Sequence, residues 1–267
     1  MMNKGKAAHI LDDKLKEAMA AATAVAPGFS QEGIHAFRVA VKKLRAYLRL
    51  LNTDEGQPRL KLTKKFHHLY DIAGEIRDAQ LKLEQVKKYR AALPSYIKEL
   101  SASIASGKSN WNEHYDEAIL KKLQKKLTAK QLHKLSSATL ATFCKQHIKI
   151  LEEAADAIPG DEMIHECRKS VKDMLYNTKL AEKHWTKAYG KVAHLPLATL
   201  DSLSDLLGDY NDERQLLDSQ LAYLPRLCNS DEQTKLEKLS TREKKIKEEQ
   251  KQLLLKELKR FVTAVAI

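Results

Sequence analysis

The 267-residue chain is short of helix interrupters and of cross-linking residues: it holds 9 glycines, 6 prolines and 3 cysteines. Cys144, Cys167 and Cys228 are odd in number, far apart and free of CxxC spacing, so neither a disulfide framework nor a zinc ribbon is indicated, and a reducing, cytoplasmic compartment fits. No stretch reaches roughly 18 uninterrupted apolar residues, which speaks against a membrane span. The alanine-rich "AMAAATAVA" at 18–26 follows "LDDKLKE" instead of a basic start, unlike a secretory leader. Glycine-rich phosphate loops, HExxH and GxSxG are all missing, which removes the motif-borne nucleotide, zincin and serine-hydrolase classes.

What remains is Lys, Leu, Ala and Glu, the composition of long helices with short connections. Apolar residues recur at three-and-four spacing, and no β pattern competes. The expected fold is all-α, with helices at about 6–26, 30–52, 58–92, 95–106, 111–127, 129–157, 161–187, 196–223 and 231–264. Breaks are expected at Pro27-Gly28, "NTDEGQP", Pro94, "SGKSN", Pro159-Gly160, Pro196 and the stretch from Pro225 to Ser230. Ser30 and Asp161 read as N-caps.

The formal net charge is +12. Residues 1–133 carry 25 Lys+Arg against 14 Asp+Glu, and residues 134–267 carry 22 against 21, so the excess sits in the first half and points to a polyanionic partner gripped mainly there. The sequence also repeats itself. "IHAFRVAVKKLRAYLRLL" at 34–51 and "IHECRKSVKDMLYNTKLA" at 164–181 are offset by 130 residues, and "LYDIAGEIRDAQL" at 69–81 and "LSDLLGDYNDERQL" at 203–216 by 134. Two motifs in the same order at nearly the same offset indicate two copies of a helical unit, each a bundle of about four long helices. The unit boundaries read as 5–108 and 129–262, joined by a connecting helix at about 110–127, within one domain spanning about 5–262.

At 100° per residue, His35, Arg38, Lys42, Arg45 and Arg49 fall on an arc of about 80°, while Phe37, Val41, Leu44 and Leu48 cluster roughly 120° away. His165, Arg168, Lys172, Lys179 and Lys183 form a similar arc on the second helix, beside Cys167, Val171, Met174 and Trp185. Each basic ridge spans on the order of 20 Å, which suits an extended chain of phosphates better than one compact nucleotide. Arginine offers bidentate forks and lysine mobile point charges. No Asp or Glu lies between Gly33 and Asn52, whereas "REKKIKEEQKQLLLKELKR" near the C-terminus mixes both signs as a solvated face does. His35 and His165, in the first turns of their helices, either add an N–H donor to an anion or pack at the bundle end.

Gly74 and Gly208 in mid-helix mark close helix crossings, and Asp71, Asp78, Asp205 and Asp212 read as positioners of basic side chains. His67-His68 are adjacent instead of i, i+4, and His165-Glu166-Cys167 faces three directions, so no metal-ligand set is evident. Tyr47 is the only aromatic residue near the first ridge.

"HAFRVAVKKLR" followed by "LYDIAGEIRD", and "HECRKSVK" followed by "LSDLLGDYND", resemble the two repeats of the CHAD family, the conserved histidine α-helical domain, over nearly the full chain. The resemblance implies two pseudo-symmetric four-helix bundles of long antiparallel helices around a basic cavity or pore. It also implies that the cavity binds inorganic polyphosphate without cofactor or catalysis, and an association with polyphosphate granules. Its motifs fall on His35, Arg38, Lys42, Lys43 and Arg45, and on His165, Arg168, Lys169 and Lys172; Arg49, Lys64, Lys65, Arg77 and Lys179 are additional expected contacts. Asp173 and Leu175 stand where the family usually continues with basic residues, so tighter contacts are expected from the first repeat. Two other functions compete: a nucleic-acid or generic polyanion binder, with RNA expected as the weaker competitor, and a metal-dependent phosphohydrolase.

Overall fold

The computed structural model describes residues 2–89, 92–128, 130, 132–157 and 159–265. These form α1 (Lys4–Thr23), α2 (Gln31–Thr53), α3 (Lys64–Val86), α4 (Pro94–His114), α5 (Glu117–Thr128), α6 (Ala138–Asp156), α7 (Asp161–His184), α8 (Thr186–Tyr189), α9 (Leu197–Tyr223) and α10 (Ser230–Val265). Short 3₁₀ turns follow α3 and α9. Among the described residues no strand forms beyond an isolated antiparallel bridge between Met2 and Leu135. None of these helices is long and apolar enough to cross a membrane. The all-α expectation holds.

Three boundaries differ from the sequence reading, each for a local reason. The segment before α3 is not helical, because both amide atoms of Asn52 bond the backbone of Leu60 at 2.9 Å and Thr63 caps the helix by accepting from the Phe66 N–H. Helix α6 starts at Ala138 instead of 129. Leu135 pairs with Met2, and the Gln57 side chain bonds both the N–H and the carbonyl of His133, which takes this backbone out of helical bonding. Arg90, Ala91, Ala129 and Gln131, at the edges of these expected helices, lie outside the described residues.

The third difference is "SGKSN", which does not break a helix: α4 runs through it to His114. A Cβ on Gly107 would stand 2.6 Å from Ile76 Cγ1, so this glycine lets α4 lie close on α3. A close helix approach is therefore found at Gly107, where none was expected, and not at Gly74 or Gly208, where it was. Ser30 caps α2 as expected, accepting from the Gly33 N–H at 2.9 Å. Asp161 does not cap; Gly160 precedes α7, and the Asp161 carboxylate instead accepts from Tyr210 Oη and Lys247 Nζ. Lys247 is thus tied into the structure, unlike its neighbours Lys244 and Lys245 on the solvated face.

In the first half α1 packs on α2, α2 on α3, and α3 on α4; in the second α6 packs on α7, α7 on α9, α9 on α10, and α10 back on α6. Helix α5, read from sequence as a connector, lies against α1 and α3, much as the long α10 lies against α6 and α9. The halves join through α2 and α7, and one apolar core runs from Met2 to Phe261 across both. Removing that apolar surface from water holds the halves together as one body. A smaller cluster around Tyr96, Leu216 and Leu236 joins α4 to α9 and α10.

Candidate functional site

The amphipathic pattern of α2 and α7 determines where their charges go. Phe37, Val41, Leu44, Cys167, Val171 and Met174 are buried in the shared core. Each basic ridge lies beside its core stripe and is therefore carried to the seam between the halves. There the two ridges face one cavity of about 470 Å³. Helix α2 supplies His35, Arg38, Lys42, Arg45 and Arg49; α7 supplies His165, Arg168, Lys169 and Lys172; α3 adds Arg77 and Asp78, and α9 adds Asn211 and Asp212. His35 and His165 thus line the same space.

Eight Lys and Arg side chains against three Asp leave this cavity strongly cationic. None of the ion pairs among the described residues involves Arg38, Lys42, Arg45, Arg77, Arg168 or Lys172. Burial and the neighbouring Arg168, Arg38 and Lys172 push the Lys42 ammonium down to about 7. Lys172 is lowered by burial and Arg168. Burial and adjacent cations also lower His35, with Arg77 the first of those cations, and His165, with Lys169 the first. Asp78 moves the other way: burial raises it, partly opposed by Arg38 and Lys82. The arrangement is a concentration of positive charge, and desolvated like charges at close range disfavour their own ionisation.

Arg38 is held in place. Its Nη1 donates to the Tyr70 carbonyl at 3.4 Å, its guanidinium lies 5.0 Å from the Tyr70 ring centroid, and Arg45 lies 5.3 Å from the same ring. A Cβ on Gly74 would stand 2.2 Å from Arg38 Nη1, so the role of Gly74 is to make room for this guanidinium and not for a helix crossing. Gly208, its counterpart in the second motif, has nothing within 4 Å of a Cβ position, so it marks no crossing either. Arg77 donates to Gln31 Oε1 at 2.8 Å, tying α3 to the start of α2.

Not every expected contact reaches the cavity. Lys64 and Lys65 are exposed in the first turn of α3, away from it. Lys43 lies a further 100° around α2 from Lys42 and faces Glu17 at 3.5 Å, and Lys179 is bonded to Asp201 at 2.7 Å; both lie outside the cavity lining. Tyr47 is wholly buried and donates to the Ala7 carbonyl, so the aromatic residue at the ridge is Tyr70. Asp173 takes Arg49 in a bidentate ion pair and is only 5% exposed. Of the four expected positioning carboxylates, Asp71 pairs with exposed His67, whereas Asp78 and Asp212 line the cavity and Asp205 acts on Lys172 from outside. Among the described residues no group of three or more His, Cys, Asp or Glu side chains is placed to hold a metal ion.

The fold and site together define a helical module with a cationic cavity at the seam of its two halves. The chain belongs to the CHAD family: the family model for the CHAD domain matches residues 9–219. The crystal structure of the CHAD domain from the plant Ricinus communis is similar in fold, with a TM-score of 0.67 over 100% of this chain and 92% of that one at 17% sequence identity. Comparison with curated proteins finds no match.

Proposed function

We propose that the seam cavity binds inorganic polyphosphate and holds it without cleaving it. The observation that carries this reading is the convergence of two basic ridges, from His35 to Arg49 and from His165 to Lys172, on one space in which six Lys and Arg side chains have no ion-pair partner among the described residues. A phosphate chain supplies closely spaced negative charge along its length, and arginine forks and lysine ammoniums grip it without demanding one register. Single-stranded nucleic acid suits the site less well. Base stacking needs a free aromatic face, and Arg38 and Arg45 crowd the Tyr70 ring. Holding the polymer would place the protein at polyphosphate granules, an association of the family.

The test is a competition titration of long-chain polyphosphate against single-stranded RNA of equal charge at two ionic strengths. Polyphosphate is expected to win at both, with an affinity that falls steeply with salt. RNA competing equally would make the cavity a generic polyanion sink. Phosphate release on adding magnesium or manganese would make the protein a phosphohydrolase instead.

A further inference from the structure

Lys43 and Lys179, which miss the first cavity, meet in a second one. It measures about 580 Å³, lies between α1, α2 and α7, and is also lined by Lys14, Lys183, His184 and Tyr176. On α7, Lys172 faces the first cavity while Lys179 and Lys183, seven and eleven residues further on, face the second. At 100° per residue these three share one helix face, over a rise of about 16 Å. Tyr176, one turn beyond Lys172, stands between the two spaces: it lines the second and feels the charge of Arg168 in the first. Asp13 and Glu17 also line the second cavity, but the Glu17–Lys43 pair is a solvent-exposed contact of 3.5 Å, the kind that contributes little and yields readily to a stronger anion.

The second half builds the opposite at the corresponding corner. Under the 130-residue offset, Lys43 corresponds to Asp173 and Lys179 to Arg49, so where one corner closes on itself as an ion pair the other holds two lysines, each with its own half-exposed acidic partner, Glu17 for Lys43 and Asp201 for Lys179. The α1 residues Asp13, Lys14 and Glu17 correspond to Phe143, Cys144 and His147 on α6, and Phe143 and Cys144 are buried in the core. His147 stacks edge-on with Phe143 at 4.4 Å and lies within the influence of Asp173 and Arg49. Where the first half leaves a basic hollow, the second has packed side chains.

We propose that the binding tract is one-ended: a phosphate chain leaves the first cavity past Lys172 and Tyr176 into the hollow lined by Lys14, Lys43, Lys179 and Lys183, while Asp173 on Arg49 stops it at the opposite corner. Asp173 occupies the fork of Arg49 as a built-in anion, so a phosphate reaching that corner meets a carboxylate and not a free guanidinium. This proposal rests on the polyphosphate reading of the first cavity. It adds that chain length matters, because a short chain fills only the first cavity and a long one uses both.

The experiment measures tripolyphosphate and long-chain polyphosphate binding calorimetrically for three proteins: wild type, Lys14→Gln/Lys43→Gln/Lys183→Gln, and a control in which exposed Lys238, Lys244 and Lys245 become Gln. The second-cavity variant is expected to keep tripolyphosphate affinity, to lose about tenfold or more for the long chain, and to show a salt slope shallower by about 2 to 3. The control is expected to match wild type for both ligands. Long-chain binding equal to the control overturns the extension while leaving the first cavity's reading intact. Failure of wild type to bind tripolyphosphate overturns both. Asp173→Asn, or Asp173→Ser should the amide not fold, is expected to tighten long-chain binding several-fold; unchanged or weaker binding at a wild-type Tm overturns the stop.

Discussion

Arg38 and Arg168 stand at the same step of corresponding helices, three residues after His35 and His165, yet their surroundings differ. Arg38 lies over the Tyr70 ring, bonds the Tyr70 carbonyl and occupies the space left by Gly74. Under the 134-residue offset the counterpart of Tyr70 is Ser204, a buried side chain whose hydroxyl has no partner among the described residues, and none of these lies within 4 Å of a Cβ position on Gly208. Arg168 has a buried Nε without a hydrogen-bond partner among the described residues. The two motifs share the pattern of charges but not the seating. A preorganised guanidinium surrenders less rotamer freedom when it binds, so equal charge does not make equal contributions. Each ridge also has one cation neutralised, Arg49 by Asp173 and Lys169 by Glu166, while Asp212 acts on Lys42 and both Asp205 and Asp201 act on Lys172.

Three comparisons break or sharpen this contrast. Charge reversal of Arg38, Lys42 and Arg45 together is expected to weaken tripolyphosphate binding by about a thousandfold or more, taking roughly 1.5–3 kcal/mol for each charge-assisted contact. The same change at Arg168, Lys169 and Lys172 is expected to cost about ten- to a hundredfold. Equal losses by titration calorimetry would mean that seating adds nothing.

Gly74→Ala and Gly208→Ala make the same chemical change at corresponding positions. Each replaces a mid-helix glycine and is expected to raise helix stability by up to about 1 kcal/mol. Only Gly74→Ala displaces a guanidinium, the movable end of a flexible side chain. It is expected to keep or raise Tm while losing about tenfold in affinity, and Gly208→Ala to raise Tm with binding unchanged.

The smallest effect is on pH. Free Lys42 titrates at about 7, and a bound polyanion favours its charged form and raises that value, so the complex holds more protons than the free protein. Affinity is therefore highest below about 7 and falls as pH rises through and above that point. The decline is expected to be several-fold, with at most about tenfold per pH unit from one proton. Lys42→Arg, which stays charged, is expected to flatten the profile. A wild-type profile without slope above pH 7 would show that Lys42 does not face the ligand.

Helical periodicity alone carried much of the site. The 3.6-residue repeat placed His35, Arg38, Lys42, Arg45 and Arg49 on one ridge, and all five line the first cavity. What it could not carry is where along its axis a helix leaves the cavity: Lys179 lies on the same arc as His165 but too far along α7, where Asp201 and the second hollow receive it. Tyr70 was hidden for a different reason. It comes from α3, so its contact with Arg38 and Arg45 exists only after the helices pack. Gly74 was legible as an anomaly, a glycine in mid-helix, but a sequence cannot say whether backbone or side chain fills the space. Asp173 was visible as a departure from basic character, whereas its partner Arg49 lies on another helix.

A crystal structure with bound tripolyphosphate examines the seam directly. Phosphates lying between Arg38, Lys42 and Arg168, with Asp173 still on Arg49, are the expected result. Phosphates found on the outer face of α10 instead, with the space between α2 and α7 unchanged, would contradict it.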